Sequence, residues 1–170
     1  MRIGSSYSLT VTRRSMGEQR LEAIIDLAID KEEQSHAFYV ELQSMVKDQG
    51  TRETLGFLAG EEVKHREFLM RYRKGDLGPD TLRLSHVVDY GIAQHLEAPE
   101  LKETLEEKAA YLLAAYREVR AYNFYRALAA IHPEGTTRQM LDRMANEELK
   151  HKEKVEYLYS NAAFPQTDGG

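Results

Sequence analysis

The sequence predicts an all-α protein, a four-helix bundle made of two antiparallel helix hairpins joined by a long crossover. Charged residues make up 30% of the 170 residues and hydrophobic ones 42%, with only 4 Pro to interrupt long helical stretches. This composition is typical of helical proteins, and the length suits one domain with a single core. Short links within each hairpin and about 25 residues between the hairpins indicate the topology.

The positions of breakers and capping residues predict where the four helices lie. Ser15 followed by Glu18 fits a capping box at the start of the first helix, and Gly50 fits its end. Thr51 can cap the second helix. Within the crossover, residues 82–96 could hold a short helix. The helices are expected at residues 15–50, 51–73, 101–131 and 137–160.

Three regions follow from these helix positions. Residues 15–160 are expected to form the bundle. Residues 1–14 are expected to be a flexible N-terminal arm, and residues 161–170 a disordered tail, because neither end shows a sustained helical pattern.

Charge and composition exclude several classes of protein. The net charge of −5 argues against nucleic-acid binding, which needs a basic face. No apolar run approaches the roughly 20 residues that span a membrane, and the first residues lack the apolar core of a signal peptide, so a cytoplasmic location is expected. With no Cys in the chain, any bound metal must be held by nitrogen and oxygen atoms.

The chain repeats itself with an offset of 86 residues and no gaps. Residues 59–67 (AGEEVKHRE) and 145–153 (ANEELKHKE) are identical at six of nine positions. A match that recurs in register over a whole chain indicates an internal duplication of one hairpin. The coinciding pairs are Glu32 and Glu118, Phe38 and Phe124, Tyr39 and Tyr125, Glu62 and Glu148, and His65 and His151.

All four of these glutamates and both histidines lie on the apolar face of their helix, near its middle. We call this face the seam of the helix. Unpaired carboxylates in an apolar interior are costly, and the seams carry no Lys or Arg to pair with them. Two divalent cations would balance four carboxylates. A spacing of three residues puts the Glu and His of each Glu-x-x-His on one face, so that each pair can bind one ion while the other two glutamates complete or bridge the coordination. The predicted metal ligands are Glu32, Glu62, His65, Glu118, Glu148 and His151.

Two motifs carry a resemblance to a known family. A-x-x-x-E-x-x-x-x-x-F-Y occurs at 28–39 and again at 114–125, and E-E-x-K-H at 61–65 and 147–151. Over residues 16–160 the chain resembles the rubrerythrin-like branch of the ferritin-like di-iron carboxylate superfamily. The resemblance implies a ferritin-like four-helix bundle that binds two iron ions, with manganese as the alternative metal. It also implies oxidation of a diferrous centre by hydrogen peroxide or dioxygen.

The resemblance further implies roles for two tyrosines and shows two departures. Tyr39 and Tyr125 are similar to the family's tyrosines that hydrogen-bond ligand carboxylates and fix their orientation. Rubrerythrins carry a Cys-rich domain that delivers electrons, whereas this chain has no Cys. A separate redox protein is therefore the expected electron donor. Rubrerythrins also have an extra Glu where this chain has Ala121, which makes the site more like a plain ferritin-type or oxidase-type centre.

Three functions are compatible with the sequence. The first is a di-iron oxidoreductase that uses external electrons, the second is a ferroxidase that handles or stores iron, and the third is a bundle whose metals are only structural. A homodimer is the expected assembly. A further Glu-x-x-His, formed by Glu33 and His36, lies off the seam and is interpreted as a solvated surface pair.

Overall fold

The computed structural model describes residues 6–82, 84, 86–89 and 91–164, with side chains from residue 19 onwards. Helix α1 packs mainly on α2, and α3 mainly on α4, which confirms the two hairpins. The elements, in chain order, are α1 (Ser6–Met45), α2 (Gln49–Lys74), two 3-10 turns at Pro79–Thr81 and Ala93–His95, α3 (Glu107–Ala130) and α4 (Thr136–Ala163).

Helix α1 differs from the sequence prediction at both of its ends. It begins at Ser6, so the predicted arm is wrong for residues 6–14, while residues 1–5 lie outside the described part of the chain. Ser15 lies inside the helix and does not cap it. The helix ends at Met45, five residues before Gly50, because the next helix starts earlier than expected.

Helix α2 starts where an aspartate caps it. The carboxylate of Asp48 accepts hydrogen bonds from the backbone N–H of Thr51 at 2.7 Å and from its hydroxyl at 2.8 Å, the usual arrangement at a helix N-terminus. Thr51 was expected to be the cap and instead lies in the first turn. The helix ends at Gly75, whose φ of 79° is left-handed and favours glycine.

The crossover is mostly irregular over its described residues. No α-helix forms among the described residues of 82–96; that segment holds only the 3-10 turn at Ala93–His95. Residues 101–106, expected to be helical, precede α3, and the backbone N–H of Leu105 donates to the carbonyl of Met45 at 2.9 Å. The backbone of Leu105 is therefore bonded to the end of α1, and residues 101–106 do not form the first turns predicted for α3.

Side chains of α4 fix the crossover along the bundle. Arg143 pairs with Asp80, Nη2 to Oδ1, at 2.6 Å. Further along both α4 and the crossover, Lys152 pairs with Asp89. The helix itself runs three residues beyond its predicted end and includes 161–163 of the predicted tail; residues 165–170 lie outside the described part.

Two apolar clusters fill the bundle, one towards each end. The first includes Leu42, Leu55 and Val155, and the second includes Ile25, Leu69 and Met144. Between them lies a layer of buried Glu and His side chains. The bundle therefore has a polar layer enclosed by apolar packing on both sides.

Among the residues that the structure describes, no helix combines the length and apolar character needed to cross a membrane.

Candidate metal centre

The polar layer draws on all four helices. Helices α1 and α3 each supply one glutamate, and α2 and α4 each supply a Glu and a His three residues apart. All six side chains are almost completely inaccessible to solvent. Their exposed fractions are Glu32 1%, Glu62 1%, His65 4%, Glu118 1%, Glu148 0% and His151 6%.

The two Glu-x-x-His pairs face each other across the bundle. Glu62, His65, Glu148 and His151 each offer a ligand atom, and these atoms all lie within 4.8 Å of one another. The two imidazole rings are stacked, with centroids 5.3 Å apart and planes at 18°. His65 Nδ1 is 3.3 Å from Glu148 Oε1, so ligand atoms of α2 and α4 converge on one small volume.

The two single glutamates border this group of four. Glu32 Oε2 lies 3.5 Å from Nδ1 of His65. Glu118 lies close enough to Glu62 and Glu148 for their charges to shift its pKa. All six residues singled out from the sequence thus meet in one layer, with four forming its centre and Glu32 and Glu118 flanking them.

Each single glutamate is held by the tyrosine of the opposite repeat. Tyr39 on α1 donates its hydroxyl hydrogen to Glu118 on α3, and Tyr125 on α3 donates to Glu32 on α1. Both tyrosines are fully buried. Burial, followed by the charge of the bound glutamate, raises the pKa of each tyrosine well above its usual value. Both hydroxyls therefore stay protonated and donate.

Unpartnered atoms make this layer suitable for metal ions. Buried polar atoms without a hydrogen bond are rare in folded proteins, yet every one of the six side chains has at least one. They are Glu32 Oε2, Glu62 Oε2, His65 Nδ1, Glu118 Oε2, both carboxylate oxygens of Glu148, and His151 Nδ1. Oxygen and imidazole nitrogen atoms of this kind are the ligands that iron and manganese accept, so the residues are chemically suited to bind metal ions of this class.

Proton binding compensates the crowded acids when no metal is bound. Burial raises the pKa of Glu62 well above its usual value, and repulsion from Glu148 adds to the rise. The pKa of Glu118 is also raised, first by burial and then by the charges of Glu62 and Glu148. Metal binding must displace these protons, because ligating carboxylates are deprotonated.

The two histidines have opposite electrostatic surroundings. Burial acts to lower the pKa of His65, but the carboxylates of Glu148, Glu32 and Glu62 outweigh it and raise that pKa well above its usual value. Burial, helped by the charge of His65, lowers the pKa of His151 to about 3. Burial acts to raise the pKa of Glu32, yet the neighbouring side chains of His65 and Glu62 lower it overall.

The structure corrects the interpretation of His36. Its Nδ1 lies 3.0 Å from the carbonyl oxygen of Ala59, and the side chain is half-buried. Glu33 is exposed, so only one member of the predicted surface pair is solvated. The ring packs α1 against α2 and lies outside the metal layer.

Sequence reasoning missed two groups next to the centre. The Nε of Arg117 donates to the hydroxyl of Ser35 at 3.0 Å, which brings a guanidinium to the seam of α1. Lys152 is 1% exposed, and its ammonium contacts three carboxylates, those of Asp89, Glu153 and Glu156. The ammonium thus occupies the middle of a second acidic cluster. Lys152 and Glu156 are four residues apart on one helix. This spacing, read from the sequence, could have predicted their ion pair.

The helices and the buried Glu and His layer define a ferritin-like four-helix bundle with a candidate metal centre. A family model described as Rubrerythrin matches residues 6–73. That region contains α1 and nearly all of α2, with Glu32, Glu62 and His65. The rubrerythrin-like resemblance expected from the sequence is therefore confirmed. Comparison with curated proteins and with solved structures gives no significant match.

Proposed function

We propose that this protein is a non-haem di-iron oxidoreductase that reduces hydrogen peroxide or dioxygen with electrons from a separate redox protein. The observation that carries the proposal is the layer of four carboxylates and two imidazoles, all buried and each with an unpartnered ligand atom. The match to the Rubrerythrin model over residues 6–73 supports it.

The donor set favours iron, with manganese as the alternative. Carboxylate-rich sites suit metals that prefer oxygen and can change oxidation state. When bound by these six residues, a pair of iron ions would supply the electrons for a two-electron reduction of peroxide or oxygen.

The rest of the layer would hold the ligands and keep the centre dry. Tyr39 and Tyr125 fix one oxygen each of Glu118 and Glu32, and the other oxygen of each glutamate would be available to bind a metal ion. Such hydrogen bonds to ligands typically change metal affinity 10–100-fold. The two apolar clusters on either side limit the entry of water.

The reductant and the assembly belong to the same proposal. The 170 residues contain no Cys, so they hold no thiolate-bound iron that could relay electrons. We therefore propose that a separate protein reduces the centre. A cytoplasmic homodimer is the form in which we expect the protein to act.

A pair of glutamate substitutions tests the proposal. Iron-loaded wild-type protein with a chemical reductant should consume peroxide or dioxygen over many turnovers. Glu118→Ala should abolish both the di-iron absorbance and this consumption, whereas Glu33→Ala, an exposed glutamate next to a predicted ligand, should retain both. Unchanged turnover in Glu118→Ala would refute the proposal.

One observation favours ferroxidase activity as a second candidate. Ala121, buried at 2% exposure, lies where rubrerythrins have an additional glutamate, so this centre lacks an exchangeable carboxylate on α3. A ferroxidase would oxidise added Fe²⁺ with oxygen but show little turnover with an external reductant. An assembly of about 24 chains would support storage, whereas a dimer would disfavour it. Full iron occupancy with slow turnover of both oxidants would leave a structural role for the metals.

A further inference from the structure

A cleft on the α1–α3 face lies beside the metal layer and differs from it in chemistry. Its volume is about 300 Å³, at the lower end of the range for small-molecule sites. Phe38, Pro99, Leu101 and Leu113 form apolar walls, and Arg117 and Arg120 supply positive charge. We call it the Arg117 cleft.

The two arginines at this cleft have no carboxylate partner in the part of the chain that the structure describes: neither Arg117 nor Arg120 forms an ion pair there. Lys31, which lies within electrostatic range of both arginines, is itself balanced by the charges of Glu32 and Glu148. Two unpaired arginines on one face are unexpected in a chain whose net charge is −5. An anion placed here would relieve their mutual repulsion.

Arg117 is fixed at the cleft with unused hydrogen-bonding capacity. Its Nε donates to Ser35 at 3.0 Å, and its guanidinium carbon lies 5.5 Å from the centre of the Phe38 ring. These contacts orient the group, yet its Nη2 atom is buried and has no acceptor. A guanidinium held in this way keeps its positive charge at the cleft and is suited to pair with a carboxylate there.

The remaining walls are also fixed in place. Tyr116 lines the cleft, and its hydroxyl donates to the carbonyl of Leu96 in the crossover. Ala98 and Pro99 bring the crossover backbone over α3. The apolar part of the cleft is therefore formed by the fold itself, with the arginines on one side of it.

We propose that the Arg117 cleft is a binding site for a small organic carboxylate, whose charged end pairs with Arg117 and Arg120 and whose apolar part lies against Phe38, Pro99 and Leu101. The combination of apolar walls and unpaired guanidinium groups selects this class over bare inorganic anions and over neutral apolar molecules. The proposal is independent of the reaction at the metal layer.

Calorimetric titration of the full chain with benzoate tests the site. Benzoate should bind saturably at one site, and benzamide, which has a similar shape but no charge, should bind at least tenfold more weakly. Inorganic phosphate should also bind at least tenfold more weakly than benzoate, because it has no apolar part. Equal binding of benzamide or of phosphate would overturn the proposal.

Three variants locate the bound molecule. Arg117→Met should weaken benzoate binding at least tenfold, and Arg126→Met, on the same helix but paired with Asp142 on the surface, should leave it unchanged. Ala98→Trp places a large side chain into the cleft from the exposed crossover. It should also abolish binding, although no residue of α3 is substituted. Benzoate binding that survives Ala98→Trp, or that disappears when metal is removed with a chelator, would place the molecule at the metal layer and refute the proposal.

Discussion

The two halves of the molecule, α1–α2 and α3–α4, carry the same ligands in different surroundings. Both place one glutamate on their first helix and a Glu-x-x-His on their second, and each tyrosine binds the glutamate of the opposite half. Because Tyr39 and Tyr125 act across the bundle, neither half can hold its own glutamate alone. The two halves thus depend on each other for the orientation of their glutamates.

Away from the ligands the halves diverge. Ser35 on α1 corresponds to Ala121 on α3, and only Ser35 receives a hydrogen bond from Arg117. His65 has three carboxylates within 4 Å of its Nδ1, whereas the Nδ1 of His151 has only Glu148, at 3.9 Å, among the described residues. The two histidines therefore lie in electrostatically unequal surroundings although the ligand types of the two halves match.

The largest structural difference lies at one cation position. Arg66 on α2 is half-buried and makes a loose contact of 3.8 Å with the exposed Glu33. Its counterpart in the repeat, Lys152, is buried among acids and reaches into the crossover. The second half thus anchors the connection between the hairpins, a task that has no equivalent in the first half.

Substitution of these two cations should show the largest effect on stability. Lys152→Met leaves Glu156 buried without its cation, a change that typically costs about 3–5 kcal/mol. Arg66→Met should cost less than about 1 kcal/mol, since exposed ion pairs contribute little. Urea denaturation of the two variants measures the difference. Equal losses would show that the buried lysine does not anchor the crossover.

Removal of either tyrosine hydroxyl should weaken metal binding. Tyr39→Phe and Tyr125→Phe each free one carboxylate oxygen, and iron affinity should fall about 10–100-fold in both. The two variants should behave alike, because the hydrogen bonds are reciprocal. An anaerobic competition assay with a chelator measures the affinities. If only one variant loses affinity, the two halves do not contribute equally to the orientation of the ligands.

The metal-free protein should lose stability as pH rises above 6.5. The folded-state pKa values of Glu62, Glu118 and His65 are raised, so the folded chain holds protons that the unfolded chain releases. Each such group contributes a slope of about 1.4 kcal/mol per pH unit until it deprotonates. His151, with a folded-state pKa of about 3, is neutral in the folded state throughout this range, and it opposes the trend only near pH 6.5, where the unfolded chain still holds part of its proton.

Chemical denaturation with a chelator between about pH 6.5 and 8.5 checks this expectation. The double variant Glu62→Gln/Glu118→Gln should show a flatter dependence, because its amides carry no titrating proton. With metal bound the trend should reverse, since metal affinity increases as ligand protons are lost. A metal-free protein that becomes more stable with rising pH would contradict the assignment of these protons.

The smallest effect is expected at the position where the two seams differ. Ser35→Ala makes α1 resemble α3 and removes one hydrogen bond from Arg117, at a cost of about 1 kcal/mol. Iron stoichiometry should stay unchanged, because neither residue offers a ligand atom to the layer. A loss of iron in Ser35→Ala, measured by elemental analysis, would mean that the asymmetry of the halves reaches the centre itself.

The centre was predictable from the sequence because it depends on spacing that repeats. The offset of 86 residues and the position of Glu32 and Glu118 on the apolar seams were sufficient to bring the glutamates and histidines together. The sequence did not predict that each tyrosine hydroxyl bonds the glutamate of the other half. Helix periodicity indicates the seam on which Tyr39 lies but not which of the two glutamates its hydroxyl reaches.

Helix ends and side-chain anchors were predicted less well. Asp48, rather than Thr51, caps α2, since its carboxylate reaches the free backbone N–H groups of the first turn. The crossover is fixed by contacts such as the bond between Ala93 N–H and Glu156 at 2.8 Å. That bond joins residues 63 positions apart, a distance at which local sequence patterns carry no information.

Iron content measured on anaerobically loaded protein tests the central claim most directly. The wild-type chain should bind about two iron ions, and Glu118→Ala should bind fewer, with Glu33→Ala unchanged as the control. A folded wild-type protein that takes up no iron at saturating concentrations would contradict the assignment of the buried Glu and His layer as a metal centre.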